Sequence, residues 1–186
     1  MSLDISKRAF NVDEYYRMAE TGILTERDRV ELIEGDIIEM NPIGSRHFAC
    51  VNRLNTLLGS ILGENAQISI QGPVRLDDHS QPEPDVAVLK PRDDYYGDGL
   101  PGPHDVLLLI EVADSSLDYD QQRKLPLYAK AGIAECWLVD LTNQVVAQYA
   151  QPADARYSME RRFARGENIV SGSVQNLTLA VDAILG

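Results

Sequence analysis

The spacing of apolar residues predicts two helices in the first third of the chain. Asn11 is placed to cap a first helix that runs from Val12 to about Thr21, where Gly22 ends it. Between residues 45 and 62 apolar side chains recur every three or four positions, which predicts a second helix, capped by Ser45, with one buried stripe. The predicted stripe consists of Phe48, Val51, Leu54, Leu57, Leu58, Ile61 and Leu62.

Shorter apolar runs predict a sheet. The segment 29–40, RVELIEGDIIEM, has apolar residues on either side of a Glu34-Gly35-Asp36 turn and predicts a hairpin. Strands are predicted at 67–71, 74–76, 85–89, 106–112, 135–140, 145–149 and 157–163, a helix at 118–131, and a last apolar segment at 177–185. The run 106–112 is apolar on both faces, which is typical of a central strand. The pattern predicts a fold of the α/β (α+β) class, in which helices flank a mixed sheet.

Length and charge narrow the classes of function. The chain has 186 residues, which suggests a single domain over residues 1–186, and its formal net charge is −12. Such an acidic protein repels phosphate backbones, so a nucleic-acid role needs a local basic patch or bound cations. No apolar run is long enough to cross a membrane, and no apolar segment follows the first charged residues as in a secretory signal. Cys50 and Cys136 are single and lie in apolar stretches, so we expect free thiols in a reducing cytoplasm.

Two carboxylates stand out because they adjoin apolar strands. Asp85 begins a predicted strand directly after Pro84, and Glu111 lies near the end of the central strand. Neighbouring strands would bring the two together, and paired carboxylates of this kind bind Mg²⁺ or Mn²⁺. The alternative is that each carboxylate lies at the end of its strand, exposed to solvent, and has no role in a site.

Lys124 lies on the apolar side of the third helix. It is seven residues after Leu117 and four before Tyr128, so it shares their face rather than the opposite one. A lysine that faces a sheet needs a carboxylate partner or a substrate phosphate, unless it extends along its stem to solvent.

The order of these segments resembles the PD-(D/E)xK nuclease superfamily, and more closely the bacterial family of putative restriction endonucleases. The resemblance covers roughly residues 10–180. It rests on VELIEGDIIEM, then Pro84-Asp85-Val86, then LLLIEVADSS, KLPLYAKAGI and ECWLVD. It implies a restriction-endonuclease-like core with an added N-terminal helix and hairpin.

The resemblance also implies roles for individual residues. Asp85 matches the motif aspartate and Glu111 the motif glutamate, and with the carbonyl of Val112 they would bind Mg²⁺ or Mn²⁺. The motif lysine belongs two residues after Glu111, where this chain has Ala113 instead. In the bacterial family that the chain resembles, the lysine comes instead from the helix that follows this strand, which indicates Lys124.

Three further residues are candidates for supporting roles. Glu31 is either an additional acidic site residue or part of a cross-strand charge pair. His47 either faces the cleft or is an ordinary polar residue at a helix end, and Gln71 is placed to enter the cleft from its strand. Of the sparse basic residues, the group Arg161, Arg162 and Arg165 is the best candidate phosphate patch, with a solvated strand face as the alternative.

These observations favour a divalent-metal-dependent nuclease that acts on DNA, by analogy as a homodimer. The second hypothesis is an inactive binding or interaction module on the same fold, which Ala113 and the acidic composition favour. The third is an unrelated hydrolase that uses Asp85 and Glu111 as an acid–base pair without metal.

Overall fold

The computed structural model describes residues 7–25 and 27–186. Its helices are α1 (Val12–Glu20), α2 (Ser45–Leu62), α3 (Leu117–Tyr119), α4 (Leu125–Lys130) and α5 (Val181–Leu185). Its strands are β1 (Val30–Ile33), β2 (Asp36–Glu39), β3 (Gln67–Ile70), β4 (Val86–Leu89), β5 (Val106–Ala113), β6 (Glu135–Asp140), β7 (Val145–Ala153), β8 (Arg156–Ala164), β9 (Asn168–Val170) and β10 (Thr178–Ala180).

Six strands form one mixed sheet, in the order β3-β4-β5-β6-β7-β8. Only β5 and β6 run parallel, and the other four pairings are antiparallel. The hairpin β1-β2 and the pair β9-β10 lie outside this sheet. The predicted mixed α/β architecture, with an N-terminal helix and hairpin, is therefore confirmed.

The sheet is covered on both faces, because its central strands are apolar on both sides. Side chains of α2, α5, β9 and β10 pack on one face, against Leu108, Ile110 and Val112 of β5. Side chains of α4 and the hairpin pack on the other, against Leu109 and Ala113. The continuous apolar run of β5 thus predicts its central position correctly.

The structure corrects three details of the helix and strand predictions. Phe48 and Ile61 are 62% and 40% exposed, so the buried stripe of α2 is narrower than its apolar spacing. The N-cap of α2 is Gly44, and Ser45 is the first helical residue. The segment 74–76 is largely buried but is no strand.

The third predicted helix contains a π-helical turn. Asp120–Lys124 forms this turn between α3 and α4, and Gly132, at φ +79°, follows the end of α4. A π turn adds one residue to a helix and rotates the segments on either side of it relative to each other. This rotation decides which side chains of 117–124 reach the sheet.

Both cysteines are buried free thiols. In the part of the chain that the structure describes, no helix is long and apolar enough to cross a membrane.

Candidate active site

Strand pairing brings Asp85 and Glu111 together. In the antiparallel register of β4 and β5, Val86 lies opposite Ile110, so Asp85 comes opposite Glu111. The Asp85 N–H lies 3.4 Å from Glu111 Oε2, and the Val112 N–H donates to Asp85 Oδ2 at 2.9 Å. The pairing of the two carboxylates is thus a consequence of the sheet register, and both line the same cleft.

Lys124 reaches these carboxylates from the π turn. Its Nζ lies 3.2 Å from Glu111 Oε1 and 3.3 Å from Glu31 Oε2, and only 7% of its side chain is exposed. It does not extend along its stem to solvent. Lys124 therefore faces the sheet as predicted, although it does so from a π turn rather than from the regular helical spacing on which the prediction was based.

Glu31 is carried into the cleft by the hairpin. Its Oε2 accepts the Glu83 N–H at 3.1 Å, and its Oε1 accepts the Tyr119 hydroxyl at 3.2 Å. Across the hairpin it lies opposite Ile38, so the alternative of a cross-strand charge pair is wrong. The charge partner of Glu31 is Lys124.

His47 and Gln71 both contact Asp85. His47 Nε2 lies 2.9 Å from Asp85 Oδ1, and Gln71 Nε2 donates to the same oxygen at 3.2 Å. The hydrogen bond to Asp85 raises the pKa of His47. His47 comes from the first turn of α2, and Gln71 directly follows β3. Six separate segments of the chain thus converge on one cleft.

Several residues that line the cleft or contact its carboxylates are not evident from the sequence, among them Tyr128 and Asp120. The Tyr128 hydroxyl donates to Glu111 Oε1 at 2.5 Å, although the spacing identifies Tyr128 only as a core residue. Asp120 is buried and accepts the Ser116 hydroxyl at 2.7 Å. The available signal for Asp120 is its position four residues before Lys124, a spacing that brings helical side chains together.

The cleft holds more negative charge than its cations balance. Burial raises the pKa of Glu111 to about 8, against the opposing charge of Lys124 and with support from Asp120 and Asp85. Burial also raises the pKa of Asp120 to about 6. Burial alone would lower the pKa of Lys124, but the surrounding carboxylates outweigh it and raise that pKa above the ordinary lysine value. Lys124 is therefore positively charged, and the carboxyl groups around it bind protons more readily than ordinary carboxyl groups do.

The cleft is an open cavity of about 420 Å³. The residues that line it include all the predicted site residues and Asp120: Glu31, His47, Gln71, Asp85, Glu111, Val112, Asp120 and Lys124. No three of the described His, Cys, Asp or Glu side chains are arranged to hold a metal ion by themselves. Any cation here would therefore be bound by a pair of carboxylates, with water or backbone oxygens completing its coordination.

Comparison with known proteins gives a family and a fold. The model of a family described as "Uma2: Putative restriction endonuclease" matches residues 12–182. A solved structure of a putative nuclease belonging to DUF820, from Anabaena variabilis, superposes with a TM-score of 0.73 at 20% sequence identity. The match covers 95% of this chain and 97% of that one. No curated protein matches the chain.

Proposed function

Because the chain belongs to the Uma2 family, described as putative restriction endonucleases, we propose that it is a divalent-metal-dependent nuclease that hydrolyses DNA phosphodiester bonds. The observation that carries the proposal is the placement of Lys124. A buried ammonium that touches two carboxylates, beside a third in an open cleft, costs free energy to maintain and is typical of a catalytic site. The description of the Anabaena variabilis structure as a putative nuclease supports the same class of reaction.

The donor set fits Mg²⁺ or Mn²⁺. Carboxylate oxygens are the ligands that these ions prefer, and the cleft is lined by more carboxyl groups than cationic side chains. We propose that Asp85 and Glu111, with the carbonyl of Val112, hold the ion. When bound, it polarises a phosphate oxygen and lowers the pKa of a coordinated water.

The protein side chains position the reacting groups. Lys124 has three N–H donors, and two of its contacts go to Glu111 and Glu31. The remaining donor is available to a phosphate oxygen or to the attacking water, where a positive charge stabilises the pentacovalent transition state. His47 and Gln71 both hold Oδ1 of Asp85, and Tyr128 holds Oε1 of Glu111. These contacts fix the two carboxylates before substrate binds.

A cleavage assay tests the proposal. Supercoiled plasmid and single-stranded DNA are incubated with the protein in Mg²⁺, in Mn²⁺ and in EDTA, in parallel with the variants Asp85→Ala and Lys124→Ala. We expect cleavage that needs a divalent ion and falls by at least about 100-fold in both variants. The matched control is Lys130→Ala, because Lys130 lies in α4 but its side chain is 61% exposed. Cleavage that survives both site substitutions contradicts the assignment of the site.

An inactive nuclease-fold binding module is the second candidate. The observation in its favour is Ala113, a buried residue at the position where the superfamily pattern has lysine. Binding of Mn²⁺ separates the candidates, because an active site binds the ion with Asp85 and loses it in Asp85→Ala. Absence of both cleavage and Mn²⁺ binding favours the inactive module.

We further propose that the chain is one cytoplasmic domain and acts as a homodimer. Free Cys50 and Cys136 fit a reducing compartment. Two active sites related by a two-fold axis suit cleavage of both strands of a duplex, and light scattering of the purified protein measures the assembly.

A further inference from the structure

A second cavity, of about 380 Å³, is lined by arginines from distant parts of the sequence. Arg46 and Arg53 come from α2, and Arg165 directly follows β8. The sequence suggests a different group, Arg161 with Arg162 and Arg165. Arg161 and Arg162 are neighbours in β8 and so point to opposite faces of the strand. The fold therefore replaces that predicted patch with a cluster of Arg46, Arg53 and Arg165, here called the arginine cluster.

The arginine cluster has more cationic than carboxylate side chains, because two of its three guanidinium groups pair with an aspartate and the third pairs with none that the structure describes. Arg53 donates to the carbonyls of Ile184 at 3.1 Å and Leu185 at 2.6 Å, which orient the guanidinium without neutralising it. None of the described Asp and Glu side chains forms an ion pair with Arg53. Arg46 pairs with Asp114 at 3.0 Å, with its own side chain 57% exposed.

Arg165, like Arg46, forms an ion pair with one aspartate. It pairs with Asp182 at 3.1 Å, and it donates to Gln144 Oε1 and to the backbone oxygen of Gly186, both at 2.9 Å. Ion pairs as exposed as those of Arg46 and Arg165 contribute little free energy. A phosphate can therefore displace their carboxylates.

The arginine cluster adjoins the candidate active site. The first turn of α2 separates the two cavities: Gly44 and His47 line the catalytic cleft, and Ser45 and Arg46 line the arginine cavity. Asp114, the partner of Arg46, also lines the cleft. A DNA strand that leaves the cleft past this turn meets three guanidinium groups, in a chain whose formal net charge is −12.

We propose that the arginine cluster binds a phosphate of the DNA strand whose scissile phosphate lies in the catalytic cleft, a nucleotide or more away. The inference rests on the proposed nuclease function and adds the contact that allows an acidic protein to hold DNA. Guanidinium groups bind phosphate oxygens through paired N–H donors, which makes arginine well suited to this role. The cluster therefore acts in substrate binding and takes no part in the chemical step.

Binding of a labelled DNA oligonucleotide in EDTA, measured by fluorescence anisotropy at several salt concentrations, tests the proposal without cleavage. We expect Arg53→Gln and Arg165→Gln each to bind about three- to ten-fold more weakly, and to reduce the dependence of log affinity on log salt by about one. Arg53→Lys keeps the charge and should recover most of the affinity. Thermal melts identify any variant that is not folded, and Arg46→Gln then replaces it.

The matched control is Arg156→Gln, because Arg156 is an exposed arginine at the opposite end of β8. We expect it to bind DNA as the unaltered protein does. Equal binding by all variants, an equal loss in Arg156→Gln, or no DNA binding by the unaltered protein would overturn the proposal.

A cleavage arm separates this proposal from the proposed function. Bis(p-nitrophenyl) phosphate contains a single phosphodiester and cannot reach both cavities, so Arg165→Gln should lower kcat/KM for DNA and leave it unchanged for the small diester. A loss on both substrates contradicts the binding role. If neither substrate is cleaved by the unaltered protein, the nuclease proposal fails, and the anisotropy measurement still decides whether the cluster binds DNA.

Discussion

Glu111 is the residue on which the contacts of the cleft converge. Its Oε1 faces both the Tyr128 hydroxyl and Lys124 Nζ, and its Oε2 lies against the Asp85 N–H. A buried carboxyl group is stable only while donors and cations satisfy it. The side chains around Glu111 therefore contribute to both folding and function, and their separate contributions can be measured.

Tyr128→Phe tests the contribution of one such donor. The substitution removes a buried hydroxyl that donates to Glu111, so we expect it to lower the free energy of unfolding by about 1–3 kcal/mol. Tyr157→Phe is the matched control, because the buried Tyr157 hydroxyl has no hydrogen-bond partner among the residues that the structure describes, and its removal should be neutral or stabilising. Urea denaturation measures both. Equal losses in the two variants would show that the hydrogen bond to Glu111 contributes nothing specific.

The sequence predicts the residues of the cleft most clearly where their charge conflicts with apolar surroundings. Glu111 and Lys124 stand out because each lies among apolar residues of a strand or a helix. Tyr128 does not, because its ring suits the core and its spacing carries no information about its hydroxyl. Asp120 resembles any solvated acid of a helix until the fold buries it.

The hairpin is the element that carries Glu31 into the cleft. Its turn residues Glu34 and Gly35 have φ of +50° and +80°, the left-handed backbone of a tight two-residue turn. A Cβ at Gly35 would also lie 2.5 Å from the Cβ of Ala9 and 2.8 Å from its Cα. Both the backbone conformation and the space therefore require glycine at this position.

Gly35→Ala is expected to destabilise the protein by about 1–3 kcal/mol, from the strained backbone and the clash with Ala9. Gly99→Ala is the control, because no atom of the described residues lies within 4 Å of a Cβ added at Gly99. Thermal unfolding of the two variants checks the difference. A Gly35→Ala protein as stable as Gly99→Ala would mean that the turn rearranges at no cost.

Elements with a regular period are predictable, and irregular ones are not. The bounds of α2 and β6 match the predicted ranges, because α2 buries a periodic apolar stripe and β6 is a short continuous run of buried residues. The π turn Asp120–Lys124 escapes prediction, since a single inserted residue changes the helical phase without changing composition. The exposure of Phe48 escapes it as well, because spacing identifies an apolar stripe but not how much of it the sheet covers.

At the scale of the whole molecule, Glu135 connects the C-terminal segment to the sheet. The buried carboxylate accepts hydrogen bonds from Trp137 and Gln148 and, in the segment 171–173, from backbone and hydroxyl groups. Glu135→Gln would direct an amide N–H₂ group at these donors. We expect a loss of about 3 kcal/mol in the free energy of unfolding. The exposed Glu160→Gln serves as control, and a similar effect of both would exclude this role.

Stability should also depend on pH through the charge of the cleft. The pKa of Glu111 is about 8 and that of Asp120 about 6, whereas both are near 4 in an unfolded chain. Between about pH 5 and pH 8 the native state therefore binds more protons than the unfolded state. Because stability rises with pH only where the unfolded state binds more protons, the free energy of unfolding should fall across this range.

A bound divalent cation should reverse part of that fall, because it supplies the missing positive charge and favours the ionised carboxylates. Urea denaturation from about pH 5 to pH 8 measures the effect, in EDTA and in millimolar Mg²⁺. We expect Mg²⁺ to raise stability more at the alkaline end, where fewer protons must be displaced from Glu111 and Asp120, and Glu111→Gln to flatten the pH profile in EDTA. A flat profile of the unaltered protein in EDTA would contradict the raised pKa values of Glu111 and Asp120. An equal effect of Mg²⁺ at both pH limits would place its binding away from Glu111 and Asp120.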